Sequence, residues 1–452
     1  MANDIPAVLG GRPLFADLDH RSWPIVTDNE QAAVRAVLDR GILSGSFAPE
    51  AVALEQEFAR FVGARHCLLT HCGTSALQLA LSCAGVGAGD EVIVPAYSFV
   101  ATPMSVVLQG AIPIFVDVEL ENGTIDADAL GAAIGPRTRA IMPVHMHGCA
   151  ADVAPIVAIA AKHDLAVVED AAQAHGARYR DRPVGALGCA GGFSLQSSKN
   201  LSAGEGGLFV TNDASLAEEA NRVRNFGQDL RLADVAGFNP RLPLDGDRAL
   251  DSRRVGSMYR GNEMMAAFAR AQLRQLPERT ERCRQHAERL SKLLGALPGV
   301  HPPVTPPDRT SVHHKYRVRL DPEAAGVALS ALQLRDAMAR ALRAEGVEVV
   351  LWQTVPLPAQ TVFQKRIGFG RGFPWSEDGS DRVVANYDPR RYPVTQRLLD
   401  GSIVLFSQSH PLIAQDDRVV DRYAEAFARV WQHRVTIADQ ALREASSITT
   451  AS

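Results

Sequence analysis

Short apolar runs alternate with longer amphipathic segments through the first half of the chain. His66–Thr70, Glu91–Val94, Ile112–Val116, Ala140–Val144, Ala166–Glu169 and Gly207–Thr211 read as buried strands, four or five residues long and rich in β-branched side chains. Between and before them, Asp28–Arg40, Pro49–Val62, Thr74–Ala84, Ala101–Gln109 and Val153–His163 carry helical periodicity, and Asp28 or Asn29 supplies a cap for the first. Strands that are apolar along their whole length, separated by helices, predict a mostly parallel sheet covered on both faces. Ligands of such sheets sit beyond the carboxyl ends of the strands.

The pattern changes in the second half. Asn262–Leu297 reads as one long amphipathic helix, interrupted at Pro277, and the proline-rich stretch His301–Pro307 follows it as a boundary. Lys315–Leu320, Leu332–Glu345 and Val347–Leu351 then predict a strand, a helix and a strand. The expected organisation is an irregular N-terminal segment (1–28), a large ligand-binding α/β domain (29–270), a connecting helix (271–300), a smaller C-terminal α+β domain (301–436) and a frayed, disordered polar tail (437–452).

Charge narrows the function. A net charge of -4 with arginines interspersed among acids argues against a nucleic-acid binder and favours small-molecule chemistry. The six cysteines form no metal or disulfide framework, and no metal site is expected. No apolar run is long enough for a membrane span and no secretory pattern opens the chain, so a cytoplasmic protein with no membrane partner is predicted.

Lysine is scarce: five residues among 47 lysines and arginines. One of the five, Lys199, stands in Phe193-Ser-Leu-Gln-Ser-Ser-Lys-Asn-Leu-Ser-Ala-Gly-Glu-Gly-Gly207, between an apolar stretch and a glycine-rich turn. Arginine serves as a cation almost anywhere but does not lose its proton; lysine does, and then forms Schiff bases. Upstream, Cys72-Gly-Thr-Ser-Ala-Leu77 places small residues at a strand-to-helix turn, where amides, hydroxyls and the helix dipole hold a phosphate or merely cap a helix. Val167-Val-Glu-Asp170 ends a strand in two acids: Asp170 suits a cationic ring nitrogen, and one of the pair is expected to cap the next turn. Phe99, in Pro95-Ala-Tyr-Ser-Phe-Val100, offers a face for stacking on a planar ligand or a core side chain. Ser194, five residues before Lys199, can join the phosphate site.

Phosphate holder, stacking aromatic, acid at a strand end and lysine after the next strand together describe a site for pyridoxal 5'-phosphate (PLP). The chain resembles the fold-type I aminotransferases and, more narrowly, the DegT/DnrJ/EryC1/StrS family, over nearly all of residues 5–435. The stretches that carry the likeness are Gly73-Thr-Ser-Ala-Leu77, Gly89-Asp-Glu-Val-Ile-Val-Pro-Ala-Tyr-Ser-Phe99, Phe115-Val-Asp-Val118, Glu169-Asp-Ala-Ala-Gln-Ala-His-Gly-Ala177 and the Lys199 segment. The resemblance implies that Lys199 is the Schiff-base lysine and shuttles a proton, and that Asp170 pairs with the pyridinium nitrogen. It implies further that Gln173 bonds the ring hydroxyl, that Phe99 stacks on the ring, and that Gly73, Thr74 and Ser194 hold the phosphate. It also implies a homodimer with sites at the interface.

One stretch departs from the family. Members carry Gly-x-Asn-x-Arg-x-x-Glu, reaching the neighbouring subunit's cofactor phosphate; here Gly256-Ser-Met-Tyr-Arg-Gly-Asn-Glu263 has Met258 at the asparagine position. A thioether is no amide donor, which leaves Arg260 or Tyr259 to make the contact. The long charged segment Phe226–Arg254 is expected to act as an active-site flap. Gly10-Gly-Arg-Pro13, Ser22-Trp-Pro24 and Pro143-Val-His-Met-His-Gly148 look most similar to the branch of scyllo-inosose aminotransferases and 3-amino-5-hydroxybenzoate synthases. The implied reaction transfers an amino group from L-glutamine or L-glutamate to a keto-cyclitol or related cyclic ketone in secondary metabolism. Nucleotide-keto-sugar amino transfer and an aromatising dehydration are the alternatives, and His145 or His147 is a candidate for the substrate wall.

Overall fold

The computed structural model describes residues 5–45, 48–228, 251–377, 380–381 and 385–449. Seven strands form the principal sheet: β1 (His66–Thr70), β2 (Glu91–Pro95), β3 (Ile112–Val116), β4 (Thr138–Ile141), β5 (Ala166–Asp170), β6 (Ala190–Ser194) and β7 (Gly207–Thr211). Their spatial order is β1-β7-β6-β5-β4-β2-β3. The pairs from β3 through β6 are parallel, and only β7 runs against its neighbours β6 and β1. Helices cover the sheet, giving the mostly parallel α/β architecture that the alternating pattern predicts.

Strand β6 is the element that the apolar pattern alone hides, because Gly191 and Gly192 interrupt it. Both glycines are there for space. A Cβ on Gly191 would lie 2.1 Å from the carbonyl oxygen of Gly185, and one on Gly192 would lie 2.8 Å from the Leu77 side chain. The helix Gly73–Cys83 therefore packs directly on the β6 backbone.

A second sheet is antiparallel: β8 (Val300–His301), β9 (Tyr316–Leu320), β10 (Val349–Val350) and β11 (Ser402–Leu405), in the order β8-β9-β11-β10. Helices Ala331–Ala344 and Asp417–Gln432 pack around it and complete the smaller α+β unit.

Between the sheets lies the helix Glu263–Leu294, which begins before residue 271 and runs without a break through Pro277. Pro277 sits on the solvent side, while Leu273 and Leu276 before it and Cys283, Ala287 and Leu290 after it are buried; one continuous apolar stripe holds both halves despite the missing amide donor. Glu263, fully buried, accepts the amides of Glu50 at 3.0 Å and Ala51 at 2.7 Å and thereby caps the helix Pro49–Val62.

Two expectations change. The N-terminal segment is irregular yet anchored: Glu345 accepts the amides of Ala7 at 2.8 Å and Leu14 at 3.1 Å. The tail expected to fray from Ile437 is instead helical over Arg434–Thr449, because Ile437 and Ala438 are buried and Ala441 and Leu442 pack one turn on. Most of the expected 226–254 flap lies outside the described residues. Among the described residues no helix is long and apolar enough to cross a membrane.

Candidate active site

The carboxyl ends of β1, β2, β5 and β6 converge, and the residues singled out in the sequence lie there. From β1 the chain enters the helix Gly73–Cys83, capped at Cys72: the Cys72 sulfur accepts the Ser75 amide at 3.3 Å, and the Ser75 hydroxyl accepts the Cys72 amide at 3.2 Å. Gly73 and Thr74 precede the first intrahelical bond, from Ala76 to Cys72, so their amides face outward at the positive end of the helix. A Cβ on Gly73 would come within 2.7 Å of the Ser194 Cβ. Glycine at 73 thus brings the helix start and the end of β6 together, joining Gly73 and Thr74 to Ser194, some 120 positions away in sequence.

Two adjacent acids end β5. Glu169 is fully buried and accepts the amides of Gly185 at 2.8 Å, Leu187 at 2.5 Å and Gly188 at 2.8 Å, and it bonds His145 Nε2 at 3.0 Å. Burial alone would raise its pKa, but the bonds from His145 and the amides bring it below the usual value. Since His145 Nδ1 accepts the Ala151 amide at 3.0 Å, Nε2 carries the proton and donates to Glu169. His145 is therefore a bracket for Glu169 and takes no place in a substrate wall.

Asp170, also buried, accepts, among the described residues, only the Thr102 hydroxyl at 2.7 Å and the Ala172 amide at 3.1 Å. Burial raises its pKa, opposed by those two bonds and by Lys199. Among the described residues no cationic side chain pairs with it.

Lys199 follows β6 in a loop closed by backbone bonds from Ser197 to Gly204 and from Ala203 to Leu195. Its amide donates to the Gln196 carbonyl at 2.8 Å, and its carbonyl accepts the Trp23 indole at 3.0 Å. Burial lowers its pKa to about 8, with Asp170 pulling the other way. A minor but real fraction of the amine is thus neutral near physiological pH, far more than for an exposed lysine.

Gln173 is buried with its carbonyl taken by the His147 amide at 3.0 Å, which turns its amide group outward as a donor. Phe99 is 53% exposed, a ring with an open face rather than a core side chain. Arg260 pairs with Thr70 in an isolated bridge at the end of β1, and its Nη1 donates to Asn225 Oδ1 at 2.6 Å. Met258 is exposed beside it.

The structure adds residues that sequence reasoning left uncommitted. Thr102 links Ser98 to Asp170, with 2.7 Å between the two hydroxyls. Tyr97 bonds His147 Nε2 at 2.8 Å, and Trp352 stands edge-on to both rings, with centroids 5.7 Å from Tyr97 and 5.0 Å from His147. The Gln353 side chain donates to the Ser98 carbonyl. Lys315 lies close enough to Lys199 to feel its charge. Trp352, Gln353 and Lys315 reach the site through the smaller sheet's chain segments, and of them only Lys315 carried a sequence signal, as another of the five lysines.

The family model described as the DegT/DnrJ/EryC1/StrS aminotransferase family matches residues 24–386. The L-glutamine:2-deoxy-scyllo-inosose aminotransferase of Streptomyces fradiae is 35% identical over 426 residues, which cover 92% of this chain and 95% of the relative. The dTDP-3-amino-3,4,6-trideoxy-alpha-D-glucose transaminase of Streptomyces venezuelae is 38% identical over 330 residues, 72% of this chain and 78% of the relative. The crystal structure of 3-amino-5-hydroxybenzoic acid (AHBA) synthase superposes with a TM-score of 0.76 at 30% identity, covering 92% of this chain and 98% of that one. With this fold, of the fold-type I PLP-dependent transferases, and these relatives, the chain belongs to the DegT/DnrJ/EryC1/StrS aminotransferase family.

Proposed function

We propose that this aminotransferase uses PLP to move the amino group of L-glutamine, or L-glutamate, to a keto-cyclitol or related polyhydroxylated cyclic ketone in aminocyclitol or antibiotic biosynthesis. The observation that carries the cofactor is Asp170: a buried carboxylate with neutral donors and, among the described residues, no paired cation is costly unless a positive group completes it, and a protonated ring nitrogen would do so. When bound, PLP supplies an electron sink for the carbon that loses its proton.

The chain's own residues then divide the work. Asp170 holds the proton on the ring nitrogen, and Thr102 and Ala172 hold Asp170. Gln173 donates to the ring hydroxyl. Phe99, with its open face, would stack on the ring. Gly73, Thr74 and Ser194 meet where helix amides and hydroxyls suit a phosphate. Lys199 Nζ, whose burial lowers its pKa, would hold the cofactor through its amine and, once the donor amine had displaced it, would carry the migrating proton as a base and return it as an acid. Arg260, oriented by Asn225, reaches the phosphate held by a partner subunit in a homodimer, with Met258 replacing the usual donor. The setting is the reducing cytoplasm, in line with six free cysteines.

The cyclitol acceptor is favoured by the scyllo-inosose aminotransferase, which is 35% identical and aligns over nearly its whole length. The test is the absorbance of the PLP-loaded protein before and after L-glutamine, for wild type and Lys199→Ala, followed by addition of 2-deoxy-scyllo-inosose or a dTDP-keto-sugar. Conversion by L-glutamine in wild type alone, reversed by the cyclitol, is the expected result. Reversal by the nucleotide sugar alone would transfer the enzyme to that class, and loss of water without net amino transfer would favour the aromatising dehydratase reading.

A further inference from the structure

Lys315 and the residues that follow it make a row. Along β9, Tyr316, Val318 and Leu320 are buried in the core, so Lys315, Arg317 and Arg319 share the opposite face. Lys315 is 6% exposed and Arg317 5%. Among the described residues neither ammonium nor guanidinium has a carboxylate within 4.0 Å. The bonds of Arg317 go to neutral acceptors, the Ser402 hydroxyl at 3.2 Å and the Glu121 carbonyl at 3.3 Å, and its Nε has no partner.

His147 completes the group. Its Nε2 meets the Tyr97 hydroxyl, while Nδ1 is buried without a partner. His147, Lys315 and Arg317 line one small cavity, together with Glu121, whose carboxylate pairs with neither cation. Burial, and then the charges of Arg317, Lys315 and Lys199, keep the His147 ring neutral, and burial with the charge of Lys199 lowers Lys315 to about 8. Glu121 acts on Arg317 only as a longer-range charge with no direct bond, and one oxyanion entering here would meet several unused donors together.

We propose that Lys315, Arg317 and His147 form a carboxylate pocket that receives the α-carboxylate of the amino donor. The inference rests on the amino-transfer reading and deepens it. Donor and acceptor take turns at Lys199, but an uncharged keto-cyclitol has no group for this pocket. The row thus lets one site hold two unlike substrates, with the donor seated by its charge and the acceptor seated elsewhere.

The test compares the PLP-loaded wild type with Lys315→Met and, as a control that keeps the charge, Lys315→Arg. Donor conversion is followed with L-glutamine and with 4-aminobutanamide, the same amine and amide without the α-carboxylate. Binding of glutarate, a carboxylate with no amine, and of dTDP is measured by calorimetry. The proposal expects Lys315→Met to need at least about tenfold more L-glutamine, the worth of one charge-assisted bond, and to lose glutarate binding. It expects 4-aminobutanamide turnover to be unchanged and Lys315→Arg to recover part of the loss. Equal losses with both amines, or none with either, would overturn it. So would a loss confined to dTDP, which would give the row to a nucleotide diphosphate. If wild type converts no amine yet binds glutarate through Lys315, the amino-donor reading fails and the pocket stands; if L-glutamine is converted while glutarate binds wild type and Lys315→Met alike, the pocket fails and the reading stands.

Discussion

Glu169 and Asp170 are neighbours in sequence, both buried, and chemically almost the same, yet they face opposite sides of β5 and have opposite surroundings. On one side Glu169 is saturated: three backbone amides and the Nε2–H of His145 converge on it. On the other, Asp170 has one hydroxyl and one amide and keeps acceptor capacity unused. The first carboxylate is held below its usual pKa and the second above it. A saturated buried acid serves the fold, whereas one left short of donors is held open for a ligand.

The comparison breaks most visibly in activity. Asp170→Asn, which preserves shape, is expected to leave the fold intact and cut amino transfer by about 10³-fold or more, since an uncharged amide no longer holds the ring proton. Steady-state kinetics beside a thermal melt decide it, and a variant that melts early but keeps its turnover would reverse the assignment.

Glu169→Gln should do the converse. Loss of the charge weakens four bonds and is expected to cost about 3 kcal/mol of stability, read by denaturant unfolding. The folded fraction should retain its turnover to within about tenfold.

A pH window sharpens the same contrast on the cationic side. Lys199 and Lys315 both have folded-state pKa values near 8 because burial disfavours their charged forms. Below that value each lysine is protonated folded or unfolded and the full penalty is present. As pH rises from about 8 toward the unfolded value of about 10.4, the folded state loses its proton first and the penalty is relieved. The cofactor-free protein should gain stability across this window, by an amount on the order of 3 kcal/mol for each lysine, and Lys315→Met should remove its share of that slope in urea titrations at successive pH values.

The smallest effect tests the open side of the pair. Thr102 donates to Asp170 and holds its pKa down, so Thr102→Val should move the acidic limb of the kcat profile upward by roughly half to one pH unit, the value of one hydrogen bond. An unchanged limb would mean that Asp170 does not control it.

Much of this site was legible in one dimension. Gly73, Thr74, Ser194, Asp170 and Lys199 lie at strand ends, where an alternating α/β pattern puts ligand-binding residues, and rarity marked the lysine. Less legible was which acid of the pair is spare, because donors to Glu169 come from residues 185–188 and from His145, and no local pattern records who folds back onto whom. Strand β6 was masked by its own glycines, whose reason is the space taken by Leu77 and Gly185. The tail looked polar because its apolar positions are few, yet Ile437 and Ala438 suffice to dock a helix. Trp352 and Gln353 gave no signal: they act through Tyr97 and Ser98, more than 250 positions away in the chain.

The sequence by itself determined the alternation of strands and helices, the membership of an aminotransferase family and the place of a rare lysine between an apolar stretch and a glycine-rich turn, since these rest on residue type and local order. Only the tertiary structure decided that Glu169 is sealed while Asp170 is open, that His145 serves Glu169, and that Lys315 and Arg317 line one small cavity with no carboxylate within 4.0 Å among the described residues. Those distinctions depend on burial and on the number of donors that distant segments bring to each charge, and a charge's environment exists only once the chain has closed around it.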